Sequence, residues 1–577
     1  HYDTLRDYYH KWYRPDLQGI IVVGDVNVDE IEAKIKDLFR ADTVPVGAPQ
    51  RTYYTVPDNK EMIVYTQADK EQPTLNFSLY MKHDAEPRQS RATREAFLGS
   101  YKSRLAMFIL RQRLAQLSHE AQPRVMSASC RAGSFYVTTE KDAFALNLGL
   151  MPNNPQAGID AAIEIVEKAR RYGFTEAELE HAKVQHTVNI EHRLDNKNKT
   201  RNAEYAKKIV SSFCGDEPCM NIEYEAALEA EFSASVTLDD INKTIKEMVD
   251  NQNQVCIVFG PTKYDGKPYS MPSADQFKAW IEHAQQQEYT NDNTAQQVDP
   301  VFMKKLPKKG KILSKHAADN GYTEYVLSNG IKVSARQSDI EPNRLTINMF
   351  RMGGRSLYPD ADAPTLQFLG SVVKESGAAD FDFLTLEKKR RGKALRVVPY
   401  IDDEEEGVKG VCVASDLKTW LQIMYLYLTN PRKDKAIFHN MIAKQQSMLR
   451  NRNASPNVTY NDSLRVAVYG QRKRTQPLTA DRLSEVSFDR IYQIYHERFG
   501  NLAGMHLIVT GDIRQDDFEE LICQYVASLP GKKNTNNDCK PGPYTLDIQE
   551  GKVTKVFHKE MATPSAQTNI VYSAPIA

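Results

Sequence analysis

Two segments near opposite ends of the 577-residue chain share one sequence pattern. Each predicts an aromatic-rich helix, a short connection, an apolar strand, a Gly-Asp pair and an amphipathic helix, in that order. The first copy spans residues 3–39, with its strand at 20–23, and the second spans residues 488–526. Tyr8 and Tyr495 lie 487 residues apart, and the rest of the pattern keeps this separation without a gap. The chain is therefore an internal duplication, and its period is that of whole domains and not of a solenoid.

The first copy also carries a family pattern. Residues 8–25 read Y-Y-H-K-W-Y-R-P-D, then an apolar run, then V-G-D. This pattern resembles the zinc metallopeptidases of the pitrilysin, insulin-degrading enzyme and mitochondrial processing peptidase group, and the resemblance extends more loosely over essentially the whole chain. It implies a peptidase of two homologous halves that close around a substrate chamber. It also implies an H-x-x-E-H helix with two His zinc ligands and a Glu general base, plus a further Glu ligand downstream.

The H-x-x-E-H motif does not occur in this chain. The resemblance places the equivalent helix at residues 364–376. Laid on that helix, the two histidine positions and the base position are occupied by Gln367, Ser371 and Gly370. Zinc binds imidazole, thiolate or carboxylate donors, and glycine has no side chain that activates water. This helix is therefore predicted to be a degenerate copy of a metal-binding helix.

The resemblance also implies a second helix that supplies the further glutamate. It corresponds to residues 435–450, which offer Lys444, Gln445 and Gln446 instead. We therefore predict no catalytic residue and no metal ligand in this chain, and its substrate-binding residues stay unassigned. The resemblance implies that zinc is the cofactor of a longer parent protein, whereas this chain alone is expected to bind none and to be inactive.

Three histidines follow one another in a helix-prone stretch, at His181, His186 and His192. Zinc on a helix needs histidines at i and i+4, so that both point the same way. Separations of five and six residues splay these side chains around the helix axis. The pattern favours a solvated helix face over a metal site.

The chain has seven cysteines, an odd number scattered along its length. Such a set is not typical of a disulfide framework. Cys214 and Cys219 are close enough in sequence to pair across a tight loop, but isolated thiols are favoured.

Turn-rich breaks and changes of pattern divide the chain into five parts. We predict an α+β fold of tandem homologous domains, each a mostly antiparallel sheet with helices packed on one face. Since repeats share their elements, the chain is expected to be an internal fragment that continues upstream of His1 and beyond Ala577. The predicted parts are the end of a first, catalytic-type domain (1–45), a second domain (46–262), a linker (263–320), a third, degenerate zinc-type domain (321–532) and the start of a fourth domain with a strand at 569–572 (533–577).

Bulk composition narrows the choice of partners. Lys and Arg total 75, as do Asp and Glu, so no nucleic-acid partner is indicated. No apolar run approaches the length that crosses a bilayer, so no transmembrane segment is predicted. The basic run 304–315 is typical of a solvated linker, and the acidic run 402–406 is typical of a solvated hairpin tip. The resemblance implies a peptide or unfolded polypeptide as substrate. A soluble protein is expected, and the sequence leaves open whether its compartment is the cytoplasm or the periplasm, as it leaves open the oligomeric state.

The leading interpretation is a fragment of a pitrilysin-type zinc endopeptidase. The alternative is a non-catalytic scaffold, or the partner subunit of an active chain, with the same fold. A third, weaker interpretation is a zinc site made by His181, His186 and His192. The residues encoded just upstream of His1 would separate the first two interpretations, and metal analysis would test the third.

Overall fold

The computed structural model describes most of the chain and shows two separate apolar cores, each built on its own sheet. Helices cover one face of each sheet, which confirms the predicted α+β fold class. The described residues are 2–44, 46–50, 54–120, 123–291, 293, 299–390, 392–513, 517–532, 540–561 and 563–574.

The helices begin where a polar side chain caps the first turn. Thr93, Thr175 and Asp434, for example, each accept hydrogen bonds from backbone N–H groups of the helix that follows. The described α-helices are α1 (Tyr2–Trp12), α2 (Val28–Leu38), α3 (Arg94–Gln116), α4 (Pro155–Tyr172), α5 (Glu176–Asp195), α6 (Asn202–Gly215), α7 (Ile222–Ser235), α8 (Leu238–Met248), α9 (Ala274–Gln286), α10 (Ala363–Ser376), α11 (Phe383–Lys389), α12 (Leu417–Thr429), α13 (Lys435–Arg450), α14 (Pro456–Tyr469), α15 (Phe488–Phe499) and α16 (Phe518–Leu521).

The strands form two large sheets and one small hairpin. The described strands are β1 (Ile63–Asp69), β2 (Leu75–Asp84), β3 (Val125–Ser134), β4 (Lys141–Leu150), β5 (Gln254–Pro261), β6 (Lys263–Tyr264), β7 (Lys267–Pro268), β8 (Ile312–Ala317), β9 (Thr323–Leu327), β10 (Lys332–Gln337), β11 (Arg344–Met352), β12 (Leu395–Ile401), β13 (Glu405–Val413) and β14 (His506–Gly511). Strands β6 and β7 make the small hairpin.

The first sheet has the strand order β1-β5-β2-β4-β3. Strands β1 and β5 run parallel, and the other neighbours run antiparallel. Alternate residues of a strand face opposite sides, so Leu75, Phe77 and Leu79 all point into the core beneath the helices. We call this sheet and the helices packed on it the first unit.

The second sheet has the strand order β12-β13-β11-β14-β10-β9-β8. Strands β10 and β14 run parallel, and the remaining pairs run antiparallel. Helices α10, α12 and α15 supply buried side chains to its core. Trp420 is fully buried there, and its indole N–H donates to the carbonyl of Arg396 at 2.9 Å. We call this sheet and its helices the second unit.

The stretch predicted as a linker, residues 263–320, contributes to both units. Helix α9 contacts α4 and β1, and its Phe277 and Ile281 are buried in the first core. Strand β8 is the edge strand of the second sheet.

The two copies of the repeated pattern fold alike only in part. Both begin with a helix, α1 in the first copy and α15 in the second. In the second copy the strand β14 forms between β10 and β11. The strand predicted at residues 20–23 is wrong, because these residues lie outside the three sheets that the described chain forms, and a strand needs a neighbour to satisfy its backbone.

The strand predicted at residues 569–572 is also wrong. These residues are described, but they have no regular secondary structure and their apolar side chains are exposed. The reason is again the lack of a paired neighbour, since an isolated extended segment is not stable in water.

The acidic run at 402–406 is only partly a solvated hairpin tip. Glu404 is exposed in the turn between β12 and β13, as predicted, whereas Glu406 is completely buried. Its carboxylate accepts from Arg351 Nε at 3.1 Å and from Arg498 Nε at 2.9 Å. The prediction is wrong for Glu406, because its partners lie in β11 and α15, far away in sequence.

Candidate functional site

Helix α10 forms at the residues where the degenerate copy of a metal-binding helix was predicted. It begins with Pro364 in its first turn and ends at Gly377, whose φ of 89° favours glycine. Gln367 and Ser371 lie on its exposed face, one turn apart, as two metal-binding histidines would. At Gly370 an added Cβ would lie 3.3 Å from the carbonyl oxygen of Pro399, so the helix packs closely on β12 at this point.

Helix α13 lies beside α10, as the second ligand helix of the resemblance would. It has the bounds predicted from the sequence, Lys435–Arg450, because Asp434 caps its start. Lys444, Gln445 and Gln446 are all half-buried. The two helices are therefore adjacent, and the side chains at the predicted motif positions include amides, an ammonium and a hydroxyl.

One turn beyond Ser371, the same face of α10 carries Glu375, which lies in a cluster of charges between the two units. His119 of the first unit places Nδ1 3.9 Å from the Glu375 carboxylate. Lys444 donates from Nζ to the carbonyl of Ser118 in the first unit. Glu375 and Lys444 therefore lie in a contact surface between the units.

Burial shifts the ionisation of all three groups in this cluster. Burial raises the pKa of the Glu375 carboxyl above its usual range. Burial also lowers the pKa of Lys444, and it lowers the pKa of His119, to which the charges of Lys444 and Lys374 add. The folded chain therefore disfavours charge at each of these positions.

The three histidines of α5 do not form a solvated helix face, so that prediction is wrong: all three are half-buried. His186 points into the first unit against Tyr101 and Phe108, and burial together with Arg104 and Arg111 lowers its pKa to about 4. His181 accepts at Nδ1 from the backbone N–H of Gly392 at 2.9 Å. His192 contacts Arg344 of the second unit, with 3.2 Å between Nε2 and Nη1.

A cavity of about 320 Å³ lies between the units, beside these contacts. Helices α3 and α5 form one wall, with Phe108, Arg113 and His181 among the lining residues. Helix α11 forms the other wall, with Phe383 and Lys388. Sequence patterns did not indicate this cavity, because its two walls are far apart in the chain.

The face of the first sheet opposite the helices carries a small aromatic cluster that sequence reasoning missed. The rings of Tyr80 and Phe135 are 5.4 Å apart, and those of Phe135 and Tyr136 are 5.0 Å apart. Arg131 lies 6.0 Å from the ring of Tyr80. Tyr136 is exposed and has a left-handed backbone, φ 54°. The cluster offers aromatic surface and a nearby cation on an open sheet face.

Two properties of the described residues bear on metals and membranes. Within the described ranges, no group of three or more His, Cys, Asp or Glu side chains is arranged to hold a metal ion. None of the helices described above is both long enough and apolar enough to span a bilayer. Cys214 and Cys219 are free, exposed thiols, and Cys539 lies outside the described residues.

Comparison with known proteins gives consistent matches. Residues 1–185 match the family model of the peptidase M16 inactive domain. The chain is 22% identical over 552 residues to a probable zinc protease PqqL of Haemophilus influenzae. The alignment covers 92% of this chain and 56% of that protein. It is 19% identical over 570 residues to the probable zinc protease PqqL of Escherichia coli. This alignment covers 98% of this chain and 59% of that protein.

A solved structure has the same fold. The ferredoxin protease FusC, crystallised as a mutant in complex with Arabidopsis ferredoxin, superposes with a TM-score of 0.55 at 15% identity, covering 92% of this chain and 58% of that one. The chain thus spans between a half and three fifths of the length of these relatives.

The predicted resemblance to the pitrilysin group of zinc metallopeptidases is confirmed by the match of residues 1–185 and by the similarity of the chain to two probable zinc proteases. The family model that residues 1–185 match is that of the M16 inactive domain.

Proposed function

We propose that this chain forms the non-catalytic part of a zinc-dependent endopeptidase that encloses peptides between two halves. The observation that carries the proposal is the match of residues 1–185 to an inactive peptidase domain, in a chain whose full-length relatives are zinc proteases. We further propose that the H-x-x-E-H helix and its zinc belong to a part of the protein outside this sequence. In that protein the zinc would activate water for peptide hydrolysis.

The exposure of the first copy supports the proposed domain arrangement. Helix α1 has no buried residue, whereas the equivalent helix α15 buries five of its side chains. The apolar side chains of α1 and of the following stretch lie exposed, among them Leu5, Tyr8 and Tyr9. We propose that residues 1–45 complete a further sheet-and-helix domain, as β14 and α15 complete the second unit.

The open face of the first sheet supports a peptide as the bound substrate. The exposed Tyr136, which packs against the half-buried Phe135, offers apolar contact area at a low cost in side-chain entropy. A nearby guanidinium, from Arg131, adds a donor for peptide carbonyl or carboxylate groups. We propose that this face contacts an unfolded polypeptide in the closed protein.

A cleavage assay tests the proposal. A longer protein that includes the residues encoded upstream of His1 is expected to cleave a reduced, unfolded polypeptide, and a zinc chelator should abolish that activity. The 577-residue chain alone should show no cleavage under the same conditions. A longer protein with no H-x-x-E-H and no cleavage would instead support the non-catalytic scaffold, and cleavage by the 577-residue chain would contradict the proposal.

A further inference from the structure

One face of helix α5 holds the first unit against the second unit. Residues 181, 185 and 192 lie within a narrow arc of this helix, because successive residues are about 100° apart. Gln185 donates from Nε2 to the carbonyl of Lys393 at 3.2 Å, between the contacts of His181 and His192. His186 projects from another face and packs into the first unit. The face of α5 that carries His181 and His192 was predicted to be solvated, but it lies at the interface between the units.

The two interfacial histidines of α5, His181 and His192, accept hydrogen bonds from groups that only donate. The partner of His181 Nδ1 is the backbone N–H of Gly392. The partner of His192 Nε2 is the guanidinium of Arg344, which has donors and no acceptor. Each accepting nitrogen must therefore be unprotonated for its contact to exist. A proton on either nitrogen converts the contact into two donors that face each other.

We propose that neutral His181 and His192 act as a latch between the two units, and that protonation of both opens the interface beside the cavity. The inference concerns the packing of the units and does not depend on the proposed peptidase activity.

The charges around each histidine favour opening on protonation. Four of the seven other ionisable groups that line the cavity next to His181 are cationic, so a proton there adds repulsion as well as removing a bond. These groups are Arg113, His119 and Glu178 on the first unit, and Glu387, Lys388, Arg390 and Lys393 on the second. Beside His192, Arg344 carries a permanent positive charge, with Glu341 on its Nε at 3.1 Å.

The third interfacial histidine has the opposite tendency. A proton on His119 would create an ion pair with Glu375, 3.9 Å away. Burial and the charges of Lys444 and Lys374 lower the pKa of His119, so its protonation is disfavoured in the folded chain. His119 therefore does not cancel the proposed effect.

Contacts at the opposite side of the interface do not depend on histidine. Tyr264 and Ser447 place their hydroxyl oxygens 3.0 Å apart, and Asp265 lies 3.6 Å from Arg450. Asn451 donates to the carbonyl of Gln72 at 3.3 Å. These contacts are expected to keep the units together on the α13 side at acidic pH. The interface should therefore open on the α5 side only, with the α13 side as the hinge.

Hydrogen exchange on the 577-residue chain tests the latch. The protection of residues 392–396 against exchange is divided by the protection of residues 105–114, a buried part of α3. This ratio is measured at about pH 8 and at about pH 5, which lie on either side of the ordinary pKa of histidine. After correction for intrinsic exchange, we expect this ratio to fall about tenfold or more at the acidic pH. An unchanged ratio would overturn the proposal.

Two variants separate the latch from general acid effects. The double variant His181→Asn and His192→Gln keeps an accepting oxygen near each site and cannot be protonated there, so its ratio should stay constant. The control His283→Gln alters a histidine of α9 that contacts Gln287, and it should respond to acid as the unmodified chain does. A double variant that loses protection as the unmodified chain does would overturn the proposal.

Discussion

Replacement of Glu406 by glutamine is expected to lower the free energy of unfolding of the second unit by about 3–5 kcal/mol. Glu406 is fully buried between Arg351 and Arg498, and it also accepts from the backbone N–H of Gly354. The loss of the carboxylate leaves the side chain of Arg351, which is 1% exposed, as a buried cation without its counter-charge. That uncompensated charge, more than the lost hydrogen bonds, accounts for the size of the effect.

Urea unfolding followed by the fluorescence of Trp420 measures this change. Trp420 is buried in the second core, and replacement of Trp12 and Trp280 by phenylalanine makes it the only tryptophan of the chain. The matched control is Glu404→Gln, since Glu404 is exposed in the same turn and its substitution should change stability by no more than about 0.5 kcal/mol. Equal effects of the two substitutions would contradict the buried ion cluster.

Replacement of Tyr495 by alanine is expected to destabilise the second unit by about 3–5 kcal/mol. Tyr495 is 2% exposed, packs against Phe499 and donates from its hydroxyl to the carbonyl of Tyr427 at 2.9 Å. The substitution leaves a cavity in the core and an unsatisfied carbonyl. The same fluorescence measurement of urea unfolding reports the change.

The internal repeat supplies a matched control for this substitution. Tyr8 occupies the position equivalent to Tyr495, but it is 60% exposed. Tyr8→Ala is therefore expected to change the stability of this chain by no more than about 0.5 kcal/mol. A loss comparable to that of Tyr495→Ala would show that helix α1 packs on a core of its own within this chain, and would contradict the proposed role of residues 1–45.

Helices were the part of the fold that the sequence predicted best. The bounds of α13 follow from local signals, because Asp434 caps its first turn and the apolar spacing continues to Arg450. The degenerate helix α10 was likewise placed within one residue of its observed start. Both assignments depend on residues a few positions apart, so no tertiary information was needed.

Strands and buried charges were predicted less well, because their partners are far away in sequence. The apolar run at residues 20–23 has the composition of β14, yet only β14 has neighbours to pair with in the described chain. Glu406 lies in an acidic run whose local sequence predicts exposure to solvent, but the fold places Arg351 and Arg498 against its carboxylate. A local sequence pattern indicates which structure a segment favours, and its tertiary contacts determine whether that structure forms.

The interface histidines show the same limit at the candidate site. The spacing of His181, His186 and His192 contains no pair at i and i+4, but it carried no information about the second unit. Gly392 and Arg344 complete these contacts from more than 150 residues away. The charge cluster at Glu375 was missed for the same reason, since His119 comes from the other unit.

Zinc analysis of the purified chain tests the central claim most directly. After incubation with zinc and dialysis, the 577-residue chain is expected to retain far less than one zinc ion per chain by mass spectrometry, because Gln367, Ser371 and Gly370 stand where ligands and base are needed. The longer protein with its upstream unit is expected to retain one zinc ion under the same conditions. One tightly held zinc ion on the 577-residue chain would contradict the account.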